Sequence, residues 1–128
     1  MSEESEKKSA LVRDFKKLGH YGRRIEDRYG VGFPDLILMV RDYPVFICEA
    51  KIVRGSSFKP TARQFLELRR LQLSPKHCVP CLLGFDGAEM YLHGAAPYVK
   101  INECLVKCSD ETVVGFFKRF YHSYTETT

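Results

Sequence analysis

Apolar residues recur at helical spacing near the start of the chain. Leu11, Phe15 and Leu18 follow one another at intervals of three or four residues, which places them on one side of a helix. Ser5 precedes this stripe as a candidate N-cap, and Gly19 follows it as a stop. The pattern predicts a first helix over residues 5–18, with that side facing the core.

Two later segments show the same periodicity. Thr61 and Gln64 have the spacing of a capping box, and the helix that they begin is predicted to run to about residue 72. Asp110 or Ser109 is a candidate N-cap for a last helix. The apolar side of that helix consists of Val113, Val114, Phe116, Phe117 and Phe120.

Continuous apolar runs between these helices predict strands. Residues 36–40 and 45–48 are joined by a polar turn and predict a hairpin, and residues 79–85 and 88–93 flank a second turn signal. Weaker patterns predict a polar edge strand over residues 20–28 and a short strand over 98–101. Helices alternate with groups of strands, which predicts a mixed α/β (α+β) fold with a central sheet.

The length of 128 residues fits a single domain over residues 1–128, with frayed ends at about 1–4 and 122–128. The N-terminus has no apolar signal-peptide core, and no apolar run is long enough to span a bilayer. We therefore expect a protein that is not secreted and works in the cytoplasm, or in the nucleus or host-cell interior if its source is eukaryotic or viral.

Basic residues are concentrated in one segment. Residues 51–76 contain seven lysines and arginines against one acid, an excess of six that is larger than the net charge of +4 for the whole chain. A polyanionic partner explains this excess, and a solvated helix face is the alternative.

The predicted hairpin carries charged residues where its strands meet. Asp35 precedes one strand, and Glu49 and Lys51 end the other on one face, because strand side chains alternate. Antiparallel pairing brings these ends together, and two adjacent carboxylates repel unless a cation lies between them. Asp35, Glu49 and the backbone carbonyl of Ala50 are therefore candidate ligands of Mg²⁺ or Mn²⁺, and Lys51 is a candidate to assist the attacking water. The alternative is a turn aspartate beside a solvent-facing Glu–Lys pair.

These residues resemble the motif of a known superfamily. The segments 32–35 (Gly-Phe-Pro-Asp) and 46–51 (Phe-Ile-Cys-Glu-Ala-Lys), with Gln64 on the next helix, resemble PD-(D/E)XK nucleases, in particular the VRR-NUC branch and Holliday-junction resolvases. The resemblance implies a restriction-endonuclease-like αβββαβ core and phosphodiester hydrolysis that depends on Mg²⁺ or Mn²⁺. It also implies a site role for Gln64 and for a glutamate of the first helix, with Glu6 as the best match and Glu3 and Glu4 as alternatives.

The five cysteines leave another interpretation open. Cys78, Cys81, Cys104 and Cys108 have spacings compatible with a four-cysteine zinc site, although buried free thiols are the favoured interpretation.

Candidate DNA contacts flank the predicted metal site. They are Arg23, Arg24, Arg28, Arg54, Lys59 and Arg63. No separate recognition domain is evident, so we expect a structure-selective endonuclease that cuts branched DNA such as a Holliday junction, with branched or duplex DNA as its partner. Two matched cuts require a homodimer, for which the last helix and residues 90–92 are a candidate interface. The alternative function is a catalytically silent nuclease-fold module for DNA binding or assembly.

Overall fold

A mixed β-sheet with helices on both faces forms the centre of the molecule. The structure is a computed structural model that describes residues 2–25, 32–73, 77–108 and 111–127. The helices are α1 (Glu3–Lys17), α2 (Ala62–Leu71) and α3 (Val113–Thr127), with a 3-10 turn at Ile101–Glu103. The strands are β1 (Tyr21–Arg24), β2 (Leu36–Met39), β3 (Val45–Ile52), β4 (Ser57–Phe58), β5 (Cys78–Asp86), β6 (Glu89–Gly94), β7 (Val99–Lys100) and β8 (Val106–Lys107).

The main sheet has the strand order β1-β2-β3-β5-β6-β8. The strands β3 and β5 are parallel, and the chain between them passes through α2, as a parallel connection requires. The other neighbours pair antiparallel, including the predicted β2–β3 hairpin. The predicted mixed α/β class, with a central sheet flanked by helices, is therefore confirmed.

One face of the sheet packs against α1 and α3. Phe46, Cys48 and Ala50 of β3 are fully buried in this core, as the alternation of strand side chains requires. The rings of Phe15 and Phe46 each lie edge-on to Phe117, with centroids 5.3 and 5.2 Å away. These contacts fix the position of both helices on β3, the strand that carries Glu49 and Lys51.

A second, smaller apolar cluster lies on the other face. It contains Leu68 of α2, Leu82 of β5, and Phe58 and Val99 of the β4–β7 ribbon. The ring of Phe58 sits on Gly84, where an added Cβ would lie only 2.6 Å from the ring carbon Cε1. Gly84 is the register partner of Lys51, so this close approach holds the ribbon beside the end of β3.

Helix ends show where local expectations hold and where they do not. The predicted Thr61–Gln64 capping box is present, with both of its hydrogen bonds. The N-cap of α1 is Ser2, not Ser5, because the Ser2 hydroxyl accepts from the Ser5 amide. The α3 helix begins after Thr112, whose hydroxyl accepts from the Gly115 amide, whereas residues 109 and 110 lie outside the described residues.

The described residues near both ends of the chain are more regular than expected. The α1 helix begins at Glu3 and α3 continues to Thr127, so the segments expected to fray are largely helical. Of the predicted edge strand over residues 20–28, β1 occupies Tyr21–Arg24, and residues 26–28 lie outside the described ranges.

Most residues expected at a dimer interface are already covered within this chain, and the homodimer stays a prediction. The apolar side of α3 packs inward, and Tyr91 and Leu92 of β6 are buried in the two clusters of this same chain. These residues pack in the core of this chain, since an amphipathic helix covers the nearest apolar sheet face.

Within the described ranges, no helix is long and apolar enough to cross a membrane.

Candidate metal and nucleic-acid site

Asp35, Glu49 and Lys51 lie together where β2 begins and β3 ends. The register pairs Leu36 with Cys48, so Asp35 lies opposite the segment that carries Glu49. The carboxylate of Asp35 accepts a hydrogen bond from the Ala50 amide through Oδ1 at 3.1 Å. The ammonium of Lys51 lies 3.9 Å from Glu49 Oε2. The structure thus brings together the three side chains that the hairpin pattern predicted.

The surroundings of Glu49 oppose its ionisation. Its residue surface is only 2% exposed. Burial, followed by the negative charge of Asp35, raises the pKa of Glu49 to about 8, although Lys51 and Lys8 act in the opposite direction. Its Oε1 atom is buried and has no hydrogen-bond partner among the described residues. Burying an oxygen without a hydrogen-bond partner costs free energy. A cation or a hydrogen-bond donor beside Glu49 Oε1 would therefore stabilise the site.

A lysine that sequence reasoning missed supplies part of the positive charge. The ammonium of Lys8 lies 2.6 Å from Asp35 Oδ2 and 3.3 Å from Glu4 Oε2, and the Lys8 side chain is 10% exposed. Burial lowers the pKa of Lys8, but the hydrogen bond and charge of Asp35, together with Glu4, outweigh it and raise the pKa overall. Lys8 therefore connects α1 to the acidic pair as a fixed cation.

The glutamate of α1 that lies nearest the site is Glu4, one of the two alternatives, and not the expected Glu6. The charge of Glu4 acts on Glu49, whereas Glu6 is exposed and lines a surface depression of about 710 Å³ with Glu3 and Lys7. Helix rotation explains the difference. At ~100° per residue, Glu4 lies only ~20° from the buried Leu11, whereas Glu6 lies ~140° away. The same calculation places Lys8 on the inner side, and this signal was available in the sequence.

Gln64 has a structural role in the first turn of α2. Its Oε1 accepts from the Thr61 amide at 2.8 Å, which completes the capping box. Over the described part of the chain, no hydrogen bond joins Gln64 to Asp35, Glu49 or Lys51. A site role for Gln64 remains a prediction.

Two of the candidate DNA contacts share a groove with the metal site. Arg54 and Lys59 line a groove of about 400 Å³ together with Lys51, Glu4 and Tyr98. Arg54 sits in the turn that is closed by its bridge to Ser57, and the side of this groove is the β4–β7 ribbon. Two exposed cations therefore lie along one path from the acidic pair.

The remaining basic candidates lie elsewhere. Arg24 of β1 donates to the hydroxyls of Ser5 and Ser9, so its guanidinium holds the edge strand to α1. Arg23 is exposed and lies in a groove of about 930 Å³ along this edge. Arg63 packs under Gly32, where a Cβ would meet its backbone at 2.8 Å. Arg28 lies outside the described residues.

The cysteines do not form a zinc site in the described part of the chain. Cys48 and Cys81, which are register partners, face each other in the core with their sulfurs 2.8 Å apart. Cys104 packs against the smaller cluster and Cys108 against the larger one. Residues 2–25, 32–73, 77–108 and 111–127 contain no group of three or more His, Cys, Asp or Glu placed to hold an ion.

The donor set at the acidic pair nevertheless fits an oxygen-seeking divalent ion. Two carboxylates from adjacent strands lie close enough for one to raise the pKa of the other, and Glu49 Oε1 has no partner of its own. The Ala50 amide points to Asp35, and the amide and carbonyl of a strand residue point to the same edge. The Ala50 carbonyl is therefore directed to the same place. These are two side-chain ligands and one backbone ligand, a set that suits Mg²⁺ or Mn²⁺ with water in the remaining positions.

Comparisons with known proteins identify the fold. No family model matches the sequence, and no curated protein matches it. The solved structure of Archaeoglobus fulgidus Hjc, a Holliday junction resolvase from an archaeal hyperthermophile, is similar with a TM-score of 0.65. The match covers 89% of this chain and 97% of that chain at 12% sequence identity. The chain therefore has the fold of a resolvase nuclease, and the VRR-NUC branch remains a prediction.

Proposed function

We propose that this chain is an endodeoxyribonuclease that depends on Mg²⁺ or Mn²⁺ and cuts branched DNA such as four-way junctions. The observation that carries the proposal is the buried, partnerless Oε1 of Glu49 beside Asp35 and Lys51. Burial of this oxygen without a partner costs stability, and a bound divalent ion would offset that cost. The similarity of the fold to a Holliday junction resolvase supports branched DNA as the substrate class.

Each residue of the site has a distinct task in this proposal. Asp35, Glu49 and the Ala50 carbonyl would hold the ion. When bound, the ion would supply a Lewis acid for the scissile phosphate and lower the pKa of water. Lys51 shares the strand face of Glu49 and is 24% exposed, so its ammonium can reach a phosphate while staying near the acids. Its charge would stabilise the negative charge that develops on the phosphate oxygens.

DNA would be held mainly through its phosphates. Arg54 and Lys59 lie in the groove next to Lys51 and would position a strand, while Arg23 would extend the contact along the β1 edge. Such contacts carry little sequence information, which agrees with a structure-selective enzyme.

The test is a cleavage assay on a four-way junction, a flap and a linear duplex of matched sequence, with Mg²⁺ or Mn²⁺. We expect the wild type to cut the branched substrates. Asp35→Asn, Glu49→Gln and Lys51→Ala should each lose at least about 100-fold in rate, as the loss of one charge-stabilising group does elsewhere. Lys107→Ala is the matched control, because Lys107 lies on β8 at the far edge of the sheet. Variants as active as the wild type would contradict the assigned roles.

One observation favours a second candidate function. Lys8 already neutralises part of the acidic pair, as it would in a nuclease-fold module that binds DNA without cutting it. In that case the wild type and the Asp35→Asn variant would bind the junction alike, and neither would cut any substrate.

Resolution of a junction also needs two matched active sites, so we propose a homodimer. Light scattering that finds only monomer at high concentration would contradict this.

A further inference from the structure

An exposed tyrosine stands at the rim of the groove that leads from the acidic pair. Tyr98 is 51% exposed, so its ring is open to a partner from solution. It comes directly before β7, and β4 and β7 pair antiparallel with Phe58 opposite Val99. Continuing this register places Tyr98 opposite Lys59. An aromatic ring and an ammonium are thus neighbours at the end of the ribbon.

The ribbon holds this pair at a fixed position relative to the site. Phe58 is buried and its ring contacts Gly84, which leaves no room for even a Cβ between them. Gly84 is in turn the register partner of Lys51. Tyr98 is therefore tied to Lys51 through two strand pairings and one close packing contact, so the groove between them is built by the fold.

The charge and size of the groove define what it fits. Lys51, Arg54 and Lys59 line it against the single acid Glu4, and its volume is about 400 Å³. That volume lies within the range of sites that hold a small ligand or a nucleotide-sized group. A positive groove with an aromatic face along it is the arrangement by which proteins bind single-stranded nucleic acid, because phosphates follow the cations and a base stacks on the ring.

We propose that Tyr98 stacks on an unpaired base of the DNA strand whose backbone passes Lys59, Arg54 and Lys51 toward the acidic pair. A base inside a duplex has both faces covered by its neighbours, so Tyr98 gains a stacking partner only where pairing is interrupted. The groove therefore selects DNA that has unpaired nucleotides next to the cutting position. This inference rests on the proposed nuclease function and narrows its substrate: among branched DNAs, it favours one with unpaired nucleotides, such as a flap, over a fully paired four-way junction.

The test measures binding without cleavage. Fluorescence anisotropy in EDTA compares a blunt duplex with the same duplex carrying a single-stranded extension, for the wild type, Tyr98→Ala and Tyr98→Phe. A 2-aminopurine in the extension reports stacking through quenching of its fluorescence. Leu18→Ala is the matched control, because Leu18 is 45% exposed and lies at the end of α1 opposite Glu4, outside this groove.

We expect the wild type and Tyr98→Phe to prefer the extended duplex. Tyr98→Ala should lose about tenfold in affinity for it, as the loss of one stacking ring does elsewhere, with little change for the blunt duplex. Quenching should disappear in Tyr98→Ala alone. The inference is overturned if the wild type binds both duplexes equally, or if Tyr98→Ala behaves like Leu18→Ala. A Tyr98-dependent preference in a protein that cuts no DNA would refute the nuclease function and leave this binding site standing.

Discussion

Among the described residues of α1, Lys8 is the one cation that acts on the acidic pair, and replacing it by methionine removes that charge. The substitution keeps the apolar stem of the side chain and its helix propensity, so the main loss is the ammonium held between Asp35 and Glu4. Without it, three carboxylates remain near one another, with Lys51 as the nearby cation. We expect the metal-free protein to be destabilised.

The structure sets the size of this effect. Removing one partner of a buried ion pair costs about 3–5 kcal/mol. The Asp35 and Glu4 side chains are 19% and 32% exposed, so water recovers part of this loss and the expected change is about 2–3 kcal/mol. For a domain of this size that corresponds to a fall of roughly 8–10 °C in the melting temperature.

The assay is thermal unfolding in EDTA, followed by circular dichroism. Lys16→Met is the matched control, because Lys16 is an exposed residue of the same helix, and it should change the stability by no more than about 0.5 kcal/mol. Added Mn²⁺ should stabilise Lys8→Met more than the wild type, because an ion that binds the folded state alone raises its stability. A Lys8→Met melting temperature within about 2 °C of the control in EDTA would refute the assigned ion pairs.

Three further predictions concern the neighbouring residues. The fold raises the pKa of Glu49 from 4.5 to about 8, so the folded protein retains a proton that the unfolded chain releases. Glu49 should therefore lower the metal-free stability by up to ~1.4 kcal/mol per pH unit as the pH rises through this window, and urea titrations of Glu49→Gln should lack this contribution. Gly84→Ala should cost about 1–3 kcal/mol in urea unfolding, because its Cβ would meet the Phe58 ring at 2.6 Å, whereas Gly94→Ala, with its nearest contact at 3.6 Å, should cost less; equal costs would contradict the packing argument. Thr61→Ala should lower the free energy of unfolding by ~1 kcal/mol, because it removes the cap of α2. Gln64→Glu keeps the capping box, so a stable Gln64→Glu variant that no longer cuts DNA would assign Gln64 a role at the site.

The sequence predicted the meeting of Asp35, Glu49 and Lys51 because that meeting depends only on local rules. A short connection over residues 40–44 fixes the β2–β3 register, and strand alternation then sets the faces of Glu49 and Lys51. The Thr61–Gln64 cap was equally predictable, since both of its hydrogen bonds lie within four residues.

Features that depend on tertiary packing were harder to predict. Three glutamates occupy the first turn of α1, and the contacts of Leu11 and Phe15 with the core decide which of them faces the site. The positions of Leu11 and Phe15 also place Lys8 on the inner side of α1, but a basic residue is not an expected ligand of a metal ion. The apolar side of α3 gave no indication of whether this sheet or a second chain covers it, because both bury the same surface.

The most direct test of the metal site is anomalous diffraction from crystals soaked in Mn²⁺. We expect one strong peak at about 2.1 Å from carboxylate oxygens of both Asp35 and Glu49, with the Ala50 carbonyl as a further ligand. The peak should be absent in Asp35→Asn crystals. A wild-type crystal without a peak at this position, or with manganese bound only elsewhere, would contradict the claim that these two strands hold a catalytic ion.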